Sequence, residues 1–268
     1  CLMHGMEVDY YKKLFQTIGN ILDLIEKDDM PKYLLFLESA FPYMDNYNYH
    51  KGMKEIIQEL KVLLKTKSIG TDSDRALLLD FQAALETQPE KAIKLEKNAL
   101  AQIENITADN ARLVSNLHAN LGGLYRMNGY PDLAREHMEK SISLLDQFNL
   151  LHINDSIPQI ANYAMFLTEQ QEPERGISEL QKLSGIIKEY HSDDCLDYAK
   201  VQETLGTIYL MTANLPQAKT HFKRAFKIYE KIWADEPEMI EAKYQEIQEL
   251  YPQIGFCIGK NLSGLLTK

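Results

Sequence analysis

Two short strings hold the residue types that could do chemistry: "HSDDC" at His191 to Cys195 and "GFCIGKN" at Gly255 to Asn261. Histidine, carboxylate and thiolate all bind metals, so His191, Asp193, Asp194 and Cys195 have the makings of a ligand set. A polar loop whose aspartates cap a helix explains the string better. "GFCIGKN" has the outline of a phosphate loop, but three residues rather than four separate its glycines. Asn261 also stands where Ser or Thr should hold magnesium. There is no HExxH, GxSxG or CxxC, so nothing organises a nucleophile or a catalytic metal. The sequence therefore predicts a non-enzyme with no catalytic residue, no metal ligand and no cofactor. "NIT" at Asn105 and "NLS" at Asn261 match the glycosylation pattern, read here as coincidence because no signal peptide is in view.

Composition narrows the partners. The 268 residues are 45% hydrophobic and 25% charged, ordinary values for a folded globular chain. A net charge of -10 argues against nucleic acid or an anionic membrane, either of which selects a basic surface. The run "KTHFKRAFKIYEK", with Lys219, Lys223, Arg224, Lys227 and Lys231, reads as a solvated helix face, since neighbouring segments carry acids at similar positions. No apolar run reaches the ~18 residues of a membrane span. Cys1, Cys195 and Cys257 are too few and odd for a disulfide framework, which points to a reducing, cytoplasmic setting. The chain starts at Cys1 rather than Met, so upstream sequence is expected.

What the sequence does contain is a period. Pro89, Pro131 and Pro173 stand 42 residues apart, and a fourth version, Pro216, arrives one residue late. On that period Asp80, Gly122, Ala164 and Gly206 form one column. Ala92, Ala134, Gly176 and Ala218 form a second, and Ala99, Ser141, Leu183 and Ala225 a third. Ten of the twelve are Gly, Ala or Ser, as expected where helices cross too closely for a large side chain. Proline is tolerated at the first helical position, so each proline should open a second helix. Apolar residues such as Leu121, Leu124 and Tyr125 follow helical spacing, and strand-like alternation is nearly absent. The prediction is an all-α, right-handed superhelical solenoid of antiparallel helix hairpins, four of them between residues 73 and 240.

"ANLGGLYRMNGYPDLAREHMEKSI" and "ETLGTIYLMTANLPQAKTHFKRAF" resemble tetratricopeptide repeats: Leu-Gly, a Tyr three residues on, and Ala twelve after the Gly. The 42-residue period is similar to that of kinesin light chain repeats, and "AFKIYEKIWADEPEMI" looks like the stretch joining two of them. The first repeat departs from the pattern at Asp80, and the third at Leu167, where Tyr should stand, and at Leu183.

The resemblance implies a protein–protein interaction module whose first helices line a concave groove. Asn120 and Asn162 occupy the column where such repeats carry an amide that clamps a peptide backbone, and an amide can both donate and accept. Asn116 lies one turn earlier, while Arg126 and Lys200 are expected to face the groove and meet a carboxylate. The same amides could instead bond to their own neighbours, or a terminal helix could fill the groove. Residues 1–72 read as three helices, a degenerate repeat at most, and 241–268 as capping helices with a break at Pro252. An alternative reading makes the chain the sensory half of a larger regulator, as the layout resembles bacterial peptide-sensing transcription regulators.

Overall fold

The computed structural model describes Leu34, Phe36, Leu37, Ala40, Phe41 and residues 50–66, 71–153 and 155–250. Of the segments read from the sequence, residues 1–33, the break at Pro252 and the string "GFCIGKN" lie outside the described residues. Among the described residues all regular structure is helical. The helices are α1 (His50–Thr66), α2 (Asp72–Ala84), α3 (Pro89–Leu100), α4 (Ala111–Met127), α5 (Pro131–Gln147), α6 (Ser156–Glu169), α7 (Pro173–Tyr190), α8 (Leu196–Met211), α9 (Leu215–Ile232) and α10 (Pro237–Leu250). The fold is all-α and built from helix hairpins, as the period required.

The prolines do what their chemistry permits. α3, α5 and α7 each begin on one, and Pro216 sits in the first turn of α9. Just ahead of three of these helices a residue takes the left-handed conformation: Gly129 (φ 76°), Gln171 (φ 65°) and Ala213 (φ 59°), again 42 apart. The next amide then reaches back five residues, Tyr130 to the Tyr125 carbonyl (2.9 Å), Glu172 to Leu167 (2.8 Å) and Asn214 to Tyr209 (2.7 Å). That bond satisfies a carbonyl the helix end leaves open. The period in the sequence is thus also a period in backbone torsion. The α2–α3 turn is built differently: the Glu86 amide donates to the Ala83 carbonyl at 3.1 Å.

The chain divides into two compact units between Tyr130 and Pro131. In the first, α1 packs on α2, and α2, α3 and α4 pack on one another. Leu37, Phe41, Met53, Phe81 and Leu117 lie in its core, with the Phe41 and Phe81 rings stacked 3.9 Å apart. Thr71 starts α2 with a reciprocal cap: its hydroxyl accepts from the Asp74 amide (3.2 Å) and its amide donates to the Asp74 carboxylate (2.7 Å).

The second unit holds the hairpins α6–α7 and α8–α9, flanked by α5 and α10. Its small columns mark close crossings. Ala164 and Gly176 are both buried, and a Cβ on Gly176 would meet the Ala164 backbone. In the next hairpin Gly206 is buried against the ring of Phe222, itself fully buried. Leu183, large for its column, is still buried. α10 covers the last hairpin: Tyr244 stacks on Phe226 at 3.9 Å, and Lys243 pairs with Glu203 of α8 at 2.9 Å. Burial would lower the Lys243 pKa, but Glu203 and Glu246 raise it overall, so the ammonium stays charged.

Candidate functional site

α4 carries three of the expected groove residues. Asn116 and Arg126 are half-buried and each is engaged by neighbours, while Asn120 is exposed. Six residues separate Asn120 from Arg126, so at 3.6 residues per turn their side chains leave the helix about 120° apart. In the second unit Asn162 is exposed on α6, and Lys200 is exposed on α8 with its ammonium 3.8 Å from the Asp197 carboxylate. Thr204, in the Asn120 column, bonds back to the Lys200 carbonyl of its own helix at 3.0 Å.

Asn120 has a partner the sequence reading did not assign. Its side-chain N–H donates to Asp80 Oδ1 of α2 at 2.8 Å. Asp80 in turn is hydrogen-bonded to Glu96 of α3, a side chain only 2% exposed. Burial, the Asp80 charge and the Asp80 hydrogen bond push the Glu96 carboxyl up to about 10, so it is protonated at neutral pH. Burial raises Asp80 as well, against the lowering effect of bonds from Glu96 and Asn120. The signal for Glu96 was present in the period. Its column continues as Met138, Leu180 and Phe222, so a carboxyl stands where the other repeats place a large apolar side chain.

The second unit joins three helices through charge. Tyr163 of α6, at the position that holds Leu121 and Leu205 in its neighbours, donates its hydroxyl to Glu139 of α5 at 2.7 Å. Arg175 of α7 reaches that hydroxyl at 3.2 Å and Glu139 at 3.3 Å. Glu172, in the turn before α7, receives Arg135 of α5 at 2.6 Å and also Arg175. These two guanidinium bonds hold its carboxyl below the usual range. Tyr163 is raised by burial first and then by the Glu139 carboxylate. The third repeat lacks Tyr at 167 and has one a turn earlier instead, which is why the network occurs here.

"HSDDC" is a helix start, although its aspartates are not the cap. Cys195 takes that position, its sulfur accepting from the Tyr198 amide at 3.4 Å. Asp194 pairs with Lys231 of α9. No group of three or more His, Cys, Asp or Glu among the described residues could hold a metal ion. Lys219, Lys223, Arg224 and Lys227 are exposed on α9 beside Lys231, the solvated face expected of that run. Among the described residues no helix is long and apolar enough to cross a membrane.

A tetratricopeptide-repeat family profile matches residues 156–231, the whole of hairpins α6–α7 and α8–α9 up to the last turn of α9. Solved structures extend the likeness beyond those two hairpins. BtubC (BKLC) from P. vanneervenii shares 19% identity, with 68% of this chain and 72% of that one covered and a TM-score of 0.55. Hairpins α6–α7 and α8–α9 are thus tetratricopeptide repeats. Nearly identical TPR-like repeats assigned to a kinesin light chain of P. anserina match at 15% identity over 73% of this chain and 96% of that one, with a TM-score of 0.55. A single-residue variant of those repeats matches at 15% identity over 74% and 96%, with a TM-score of 0.57. At such identities the likeness is one of fold. No curated protein sequence matches this one.

Proposed function

We propose that this tetratricopeptide-repeat protein is a non-enzymatic interaction module that binds an extended or helical segment of another protein along the first helices of its hairpins. Repeats of this family generally serve protein–protein interaction, and the residues here suit that use. The observation that carries the reading is that each unit exposes an amide in the same repeat column, Asn120 on α4 in the first and Asn162 on α6 in the second. An amide satisfies a peptide group whatever side chain follows it. Asn116 lies one turn before Asn120. Arg126 on α4 and Lys200 on α8 favour a segment with an acidic group. At a net charge of -10 the chain repels such a segment at long range, so recognition must rest on these few residues.

The test is a peptide-array screen of the full chain beside the Asn120→Ala, Asn162→Ala double variant, followed by titration of each captured peptide. The expected result is peptides whose affinity drops at least tenfold in the double variant. If every captured peptide binds both forms equally, the proposed groove is wrong.

A further inference from the structure

Glu96 is the least expected side chain in the first unit. Its carboxyl is buried at a position where the other three repeats place Met138, Leu180 and Phe222. Sixteen residues earlier Asp80 stands where they place Gly122, Ala164 and Gly206. In the last hairpin that pair is a glycine under a phenylalanine ring. In the first it is two carboxyls of intermediate size, so the volumes are exchanged along with the polarity.

Among the described residues, no cation perturbs either carboxyl of this pair. The helices packed on α3 bring Asp72, Asp74, Arg75 and Asp80 on α2, and Arg112, His118, Tyr125 and Arg126 on α4. Of these Asp80 alone acts on Glu96, and it is an acid. Asn120 supplies a neutral donor to Asp80 and, by its hydrogen bond to Glu96, works against the shift there, while among the described residues Glu96 Oε2 is buried without a hydrogen-bond partner. Ionising both carboxyls is strongly disfavoured, because their like charges repel and the buried Glu96 carboxyl has lost its hydration, although Asp80 itself is only half-buried.

We propose that the hairpin α2–α3 is a proton-locked element: it closes with one proton held between Glu96 and Asp80, and its opening releases that proton, so a rise in pH loosens this hairpin selectively.

The direction follows from linkage. Once opened, Glu96 returns to an ordinary carboxyl near 4.5, against about 10 when closed. Between those values the closed state binds one proton more than the open state, so stability is full at low pH and declines as pH rises. One proton corresponds to a tenfold change in the opening equilibrium for each pH unit. The lock therefore responds across neutral pH even though Glu96 keeps its proton whenever the hairpin is closed.

Amide hydrogen exchange on the full chain between pH 7 and 9 tests this, each rate corrected for intrinsic exchange and α8–α9 serving as reference in the same molecule. In that window His221, whose pKa is lowered by burial and by Arg224, is already neutral and adds nothing to the reference slope. Opening of α2–α3 should rise about tenfold per pH unit above the reference. Glu96→Gln keeps the shape and should remove that excess. The double change Asp80→Gly, Glu96→Met, which installs the side chains of the second repeat, should do the same. A wild-type slope no steeper than that of α8–α9, or a slope that persists in Glu96→Gln, overturns the proposal.

Discussion

Gly176 of α7 lies so close to Ala164 of α6 that a Cβ on it would stand 2.6 Å from the Ala164 carbonyl oxygen. Backbone cannot swing aside as a side-chain tip can. Gly176→Ala should therefore lower stability by about 1–3 kcal/mol. Gly185, exposed on the same helix with nothing within 4 Å of its would-be Cβ, is the control. Gly185→Ala should raise stability by about 0.5–1 kcal/mol. Thermal melts of the two variants moving in the same direction would contradict the crossing described.

The neighbouring hairpin offers a double-mutant cycle. A Cβ on Gly206 would meet the Phe222 ring at 2.9 Å, and the ring fills its site. Gly206→Ala alone is expected to be destabilising. In the background of Phe222→Leu, which copies the Ala164 and Leu180 of the preceding repeat, the penalty should shrink by about 0.5–3 kcal/mol. Additive melting shifts would mean that the two positions do not share a volume.

Ala134 and Ala218 are fully buried in the small column. Replacing either by Leu should overpack its helix and lower stability by about 1–3 kcal/mol. Unchanged denaturant midpoints would show that the columns are in the wrong register.

Gln171 and Ala213 hold a left-handed torsion that Gly129 adopts freely. A side chain there costs roughly 1–2 kcal/mol, partly offset by the unfolded-state freedom of glycine. Gln171→Gly and Ala213→Gly should each gain about 0.5–1 kcal/mol, and Val at either position should lose more than that. Chemical denaturation that ranks Val above Gly would refute the assignment.

Tyr163 is the hub of the charge network in the second unit. Tyr163→Phe keeps its ring buried and removes the hydroxyl shared by Glu139 and Arg175, for an expected loss of about 0.5–1.5 kcal/mol. The surrounding pairs are largely exposed, so they should weaken at about 1 M salt, where screening acts within about 3 Å. A loss of the same size in Tyr163→Phe at every salt concentration would assign the effect to the hydroxyl alone.

Much of this fold was legible because its constraints repeat. A proline tolerated only at a helix start and a small residue demanded at each crossing recur at one spacing, so Pro89, Pro131, Pro173 and Pro216 mark four helix starts. What recurs once is harder to read. Asp80 departs visibly from its column, but its contact with Glu96 runs across the hairpin and no local pattern encodes it. The capping role fell to Cys195 rather than an aspartate because Asp194 is drawn to Lys231, a contact between helices that no local pattern encodes. Asn120 was read from its column as a groove residue, and its bond to Asp80 depends on the helix beside it.

The exchange of volume between paired columns has an evolutionary side. Gly206 needs the Phe222 ring beside it, and Asp80 needs a carboxyl that can carry a proton, so neither helix of a hairpin is a neutral replacement for its counterpart elsewhere. Recombination that joined α2 to α9 would set Asp80 against phenylalanine, and one that joined α8 to α3 would bury Glu96 over a glycine with no partner. Crossovers between hairpins leave both pairings whole. Duplication or loss in this gene should therefore be tolerated in steps of one hairpin, about 42 codons, and selected against at any junction within a turn.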